Sequence, residues 1–222
     1  MFLSIKFQKQ SVRKAIGQFF KLMIILMTMQ PTVFASTHCN PGAKIEDTLR
    51  TLSAIRGDFF ILDNATDSVR IRGLRDPRVQ MMYFLFAAEE DPVGLDPGLS
   101  TDGRWRAIHL ADILREQNIV AFFSTPFRRN ILTLQPVCDK KQIQPLYYDQ
   151  ADLKSLFDQV NKFGSGDVVI MIHKESFGKM LELFSGQKHT INVDNQPANR
   201  IFVLERSLVG SSRLSVYTYD IR

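Results

Sequence analysis

The sequence predicts an α/β fold, a three-layer sandwich with a mostly parallel central sheet. Three observations predict it. Val79–Ala88 is a continuous apolar run, the pattern of a strand buried on both faces. Two shorter runs of the same kind, Ile119–Phe123 and Val168–Ile172, follow it. Segments with apolar residues at helical spacing lie between and after these runs. Strand–helix alternation of this sort folds as parallel strands joined by crossover helices.

The elements are read in chain order. Residues 1–35 carry Lys6, Lys9, Arg13, Lys14 and Lys21 and no acid; then come the short apolar run Leu22–Met27 and Val33-Phe34-Ala35. A basic region, a short apolar core and small residues at the −3 and −1 positions make a secretory signal, with cleavage expected after Ala35. The run falls short of the ~20 apolar residues of a transmembrane helix. Membrane attachment is therefore expected only through an uncleaved signal, and the location is periplasmic or secreted. Residues 36–80 read as an accessory segment. Lys44–Arg56 has Ile45, Leu49, Leu52 and Ile55 at helical spacing, and residues 59–62 and 69–72 flank a polar turn as a hairpin. Arg70, Arg72, Arg75 and Arg78 then lie on the solvated face of an edge hairpin.

Residues 81–222 form the main domain. A helix after the turn-rich loop 91–103 carries Ala107, Leu110, Ala111 and Leu114 on one face. A short helix with Ile131 and Leu134 lies near Pro136. Asp149 and Asp152 cap a helix with Leu153, Leu156, Phe157, Val160 and Phe163 on one face. Phe177, Met180, Leu181 and Phe184 give the last helix its stripe. Ile201–Glu205 and Leu214–Tyr219 pair around Gly210-Ser211-Ser212. In such folds ligands bind at the carboxyl ends of the strands, here residues 86–91, 123–129 and 172–176.

The net charge of +5 comes from 28 basic and 23 acidic side chains. All five excess charges lie in residues 1–35, so the mature chain is neutral. No basic field remains to release counterions from nucleic-acid phosphates, and a nucleic-acid partner is not expected. Cys39 and Cys138 both survive cleavage into an oxidising compartment. They are a candidate disulfide, which by loop entropy would contribute about 4–5 kcal/mol; two unpaired thiols are the alternative.

Several segments, taken in order, resemble the histidine phosphatase (phosphoglycerate mutase-like) superfamily from about residue 80 to the C-terminus. Leu99-Ser100-Thr101-Asp102-Gly103, with Arg106-Ala107 and Leu110-Ala111, resembles its "LT-x-x-G" helix-opening motif. Ser124-Thr125-Pro126-Phe127-Arg128-Arg129 with Thr133 resembles "SS-x-x-x-R-x-x-QT". Val168–His173 resembles the "VLVVGH" strand, and Asn199–Val203 the late strand. The resemblance implies a phosphate pocket in which a first-strand "RH" pair supplies a clamp and a nucleophile. Here the matching segment is Leu85-Phe86-Ala87-Ala88-Glu89. Phe86 stands at the arginine and Ala87 at the nucleophilic histidine, so both family positions are lost. Arg129 and His173 match the second arginine and second histidine. Ile172 replaces the family glycine, and Leu132 its glutamine.

Alanine cannot form a phosphoenzyme, and loss of a covalent nucleophile costs on the order of 10⁶ in turnover. The sequence therefore reads as a degenerate, non-catalytic member that binds a small anion, a phosphorylated ligand or a protein partner. The alternative is a divergent phosphohydrolase using Arg129 and His173 with another nucleophile. Arg129 and His173 are the candidate phosphate ligands, and His173, Arg129 and Glu89 are the residual catalytic candidates. Glu89 is expected to pair with Arg129. His173 is either a remnant ligand or a half-buried structural histidine. His109 is expected at the surface, Trp105 as a packing anchor, and Tyr147-Tyr148-Asp149 in strand-end packing. His38 and His189 have no metal-ligand spacing, so neither a metal nor a cofactor is expected.

Overall fold

A computed structural model of the chain describes residues 49–71, 76–191 and 198–221. The expected export signal, Cys39, Arg72 and Arg75 lie outside the described residues. The central sheet has six strands in the order β6-β5-β7-β4-β8-β9. These are β4 (Val79–Leu85), β5 (Ile119–Ser124), β6 (Leu146–Tyr147), β7 (Asp167–Met171), β8 (Arg200–Ser207) and β9 (Arg213–Thr218). β4, β5, β6 and β7 pair in parallel; β8 runs antiparallel to β4 and β9 antiparallel to β8.

Strand period decides the layers. In β4, Met81, Tyr83 and Leu85 point into one apolar cluster, and Met82 and Phe84 into another. The first cluster takes in α1 (Thr101–Ile113) and α2 (Arg128–Lys141), and the second α3 (Leu153–Asn161) and α4 (Lys174–Ser185). That double burial explains the unbroken apolar run: neither face of β4 meets water.

A smaller antiparallel sheet, β1 (Leu52–Arg56), β2 (Phe59–Leu62) and β3 (Asp67–Arg70), buries Leu52, Ile55, Phe60 and Leu62 in the first cluster. The helix expected over Lys44–Arg56 is not formed where the chain is described; Leu52–Arg56 is a strand. The reason is a register shift between Leu52 and Ala54. An extra residue in a strand lets Leu52 and Ile55 both face inward though three apart, which imitates helical spacing. The hairpin of β2 and β3 forms as expected, with Arg70 exposed on the edge strand.

Three further expectations are corrected. α2 runs through Pro136 to Lys141, anchored beyond the proline by buried Val137 and Cys138. Trp105 is 52% exposed, because α1 turns Arg106, Ala107 and Leu110 inward and Trp105 and Ile108 outward. His109 is buried, since the C-terminal tail covers it and its Nδ1 contacts the Asp220 carbonyl. Tyr148 is buried, and its hydroxyl donates to the Met171 carbonyl at 2.6 Å, while Tyr147 is exposed. Asp152 accepts from Ser155 N at 3.0 Å as the cap of α3. Cys138 is buried, and burial pushes its thiol up to about 12. Among the described residues no helix is long and apolar enough to cross a membrane.

The end of the sheet remote from the strand carboxyl ends holds a buried acid. Asp167 is 9% exposed, and its Oδ1 accepts from Met81 N at 3.4 Å. Burial pushes its carboxyl up to about 6. An unfolded aspartate titrates near ~3.9, so the folded state holds this proton more tightly. The favourable contribution is complete below pH ~4 and disappears as pH rises through 6. Asp167→Asn keeps an acceptor and removes the charge. Thermal unfolding should show it stabilised by about 2 kcal/mol at pH 7.5 and nearly unchanged at pH 4.

Candidate functional site

The carboxyl ends of β4, β5 and β7 converge on a cavity of about 360 Å³. It is lined by Phe86, Ala87 and Ala88 after β4, by Arg129 and Asn130 from the first turn of α2, and by Ile172 and His173 after β7. Glu89, Glu90, Lys174, Glu175 and Ala198 complete it. None of the described residues of the 36–80 segment lines it.

Two contacts hold the β4 end. Ala88 N donates to Thr133 Oγ1 at 3.0 Å, and that hydroxyl donates to the Arg129 carbonyl at 2.8 Å. On the other side, Ser100 N donates to the Glu89 carbonyl at 2.9 Å, while Ser100 Oγ caps α1 by accepting from Gly103 N at 3.1 Å. Gly103 lies so close that a Cβ there would stand 2.2 Å from the Glu89 carbonyl oxygen. The motif residues quoted above thus act here as braces for the pocket wall.

The floor is dry. Phe86 is 7% exposed and meets Phe177 and Phe202 edge-on, with ring centroids 5.9 and 6.1 Å away. Ala87 faces the cavity half-buried, with no side-chain atom that could attack phosphorus.

His173 is 9% exposed. Asn130 Nδ2 donates to Thr125 Oγ1 at 2.8 Å, and Thr125 Oγ1 lies 2.8 Å from His173 Nε2. Asn130 Nδ2 itself is 3.5 Å from the same nitrogen. These contacts fix the orientation of the ring through Nε2. Burial pushes the imidazole below its ordinary range; Glu175 opposes this and Arg129 adds to it. The ring is neutral at physiological pH. The exposed Phe127 ring packs against it at 5.5 Å and lies 5.9 Å from the Arg129 guanidinium.

The ion pairs differ from the expected one. Arg129 pairs with Glu90, not Glu89. Glu89 is held by Arg106, whose Nε lies 2.8 Å from both carboxylate oxygens. That hydrogen-bonded guanidinium holds the Glu89 carboxyl below its usual range. Arg106 is 7% exposed and also donates to the Tyr219 carbonyl at 2.8 Å. Glu89 and Glu90 are adjacent in the chain, yet each is held by a different arginine. Which acid meets which arginine was therefore not readable from spacing. Asn130 and Thr125 were also missed as the groups that orient His173; the one signal was their position around Arg129 at a strand-to-helix junction. Among the described residues no group of three or more His, Cys, Asp or Glu side chains is placed to hold a metal ion.

The fold is that of the histidine phosphatase (phosphoglycerate mutase-like) proteins. The protein histidine phosphatase SixA, solved with tungstate, matches with a TM-score of 0.50 at 14% identity, over 63% of this chain and 97% of that one. A mycobacterial glucosyl-3-phosphoglycerate phosphatase solved with inorganic phosphate gives 0.48 at 12% identity, over 64% and 97%. YhfR of Bacillus stearothermophilus gives 0.49 at 15%, over 62% and 96%. No family model matches the sequence, and no curated protein matches it significantly.

Proposed function

We propose that this chain is an exported, non-hydrolytic histidine phosphatase-like domain whose strand-end cavity serves as a binding site. One observation carries the reading. The position that would attack phosphorus is Ala87, whose side chain is a methyl group. Thr125 Oγ1 touches His173 but is buried beneath it and absent from the cavity wall. The remaining cation that would clamp a phosphoryl group, Arg129, already has Glu90 as counter-ion. His173 is neutral and tied down by Thr125 and Asn130. A phosphoryl group therefore meets neither the first-strand histidine nor its neighbouring arginine, and Arg129 carries its own counter-ion.

The test is a phosphatase assay on purified protein with p-nitrophenyl phosphate. Release should not exceed that of His173→Ala. Hydrolysis that disappears in His173→Ala overturns the reading and favours the divergent phosphohydrolase. Export rests on residues 1–35. N-terminal sequencing of protein from the periplasm or medium should begin at Ser36; a chain retaining Met1 in the cytoplasm overturns that part.

A further inference from the structure

The cavity's charges cancel within the protein. Arg129 faces Glu90, and Arg106 holds Glu89 from behind the wall. Lys174 and Glu175 stand side by side on the rim with opposite signs. An incoming anion would have to displace Glu90 from Arg129 and then sit among three carboxylates. An incoming cation would find Glu89 and Glu90 already engaged. Charged ligands of either sign are at a disadvantage.

What the cavity offers is an array of fixed dipoles over an apolar floor. The Arg129 guanidinium donates and the Glu90 carboxylate accepts, side by side. Asn130 and the neutral ring of His173 stand beside them. Phe86, Ala87, Ala88, Ile172 and Ala198 supply the apolar surface, and the exposed ring of Phe127 stands beside His173 and Arg129. The volume lies at the lower end of small-ligand sites, ~300–1,000 Å³. A ligand that matches is uncharged, carries hydroxyl groups around its edge and has an apolar face.

We infer that the cavity selects an uncharged, polyhydroxylated ring, a neutral saccharide, and that Glu90 is the residue that excludes its phosphorylated counterpart. This rests on the binding-site reading above. Glu90 acts by occupying the guanidinium that a phosphoryl group would need. Both partners are partly exposed, with side chains 37% and 46% accessible for Arg129 and Glu90, so the pair can be altered without opening the core.

The experiment uses isotope-labelled purified protein titrated with glucose, galactose, N-acetylglucosamine, glucose 6-phosphate and inorganic phosphate. Amide shifts of Ala87, Ala88 and Asn130 are followed. At least one neutral sugar should give saturable shifts, with glucose 6-phosphate and phosphate at least fivefold weaker. Glu90→Gln should invert the order, the phosphate ester gaining at least fivefold. Arg129→Gln in the same background should abolish that gain. Tighter binding of phosphate or the ester to the unaltered protein overturns the inference, as does absence of shifts with all three sugars. Phosphate release from glucose 6-phosphate, monitored in the same sample, reports separately on the non-hydrolytic reading.

Discussion

Gly103→Ala should lower stability by at least about 3 kcal/mol, or roughly 6–12 °C in melting temperature. The added methyl would lie 2.2 Å from the Glu89 carbonyl oxygen and 3.1 Å from its carbon and nitrogen. Those are backbone atoms, so no rotamer change relieves the clash. The same carbonyl accepts from Ser100 N, which ties the end of β4 to the start of α1. Relief by moving Glu89 would also disturb its contact with Arg106. Gly178→Ala supplies the contrast. Gly178 lies inside α4 with nothing within 4 Å of an added Cβ. There the same substitution should stabilise by about 0.5–1 kcal/mol, the ordinary cost of glycine in a helix. Thermal unfolding of the two variants checks both signs. Equal, small shifts would mean that the β4–α1 junction yields more easily than its geometry implies.

Much of the fold was legible because burial on two faces leaves a plain mark. β4, β5 and β7 read as apolar runs since both faces are covered, and parallel strands with crossover helices put their carboxyl ends together. The place of the cavity followed from that topology. Readings failed where a contact came from a distant segment or where one irregular residue changed the period. β1 imitated a helix because of one register shift. His109 looked solvent-facing on its helix but lies under a carbonyl 111 positions away. Arg106 stood out in the sequence only as part of a motif, yet its guanidinium joins Glu89 to the Tyr219 carbonyl. Pairwise choices among Glu89, Glu90, Arg106 and Arg129 needed geometry, because each acid has an arginine within reach in any sequence-level picture.

Phe86→Arg, which would place an arginine where the resemblance to histidine phosphatases expects one, should cost at least about 2 kcal/mol and give no phosphatase activity, even with Ala87→His added. Phe86 is nearly buried and packs edge-on with two rings, Phe177 and Phe202, which pack on each other at 4.7 Å. Edge-to-face pairs add about 0.5–1.5 kcal/mol each beyond the area they bury. An arginine stem keeps part of that contact, but its guanidinium must either stay among the rings without a partner or reach into the cavity. In the cavity it would meet Glu90 or Glu175, and so join the internal charge pairing instead of presenting a free clamp. Ala87→His alone replaces a half-buried methyl at the cavity wall and should shift stability by under about 1 kcal/mol. The pair of substitutions would therefore supply a nucleophile without the uncompensated positive charge that phosphoryl transfer needs. The check is melting temperature and phosphate release for both singles and the double variant. A double variant that melts like the unaltered protein and alone turns over p-nitrophenyl phosphate would show that these two residues decide whether the pocket acts on a phosphate ester. No turnover until Glu90→Gln is added would show that the Glu90 counter-ion, as well as the first-strand residues, sets whether the pocket acts on a phosphate ester.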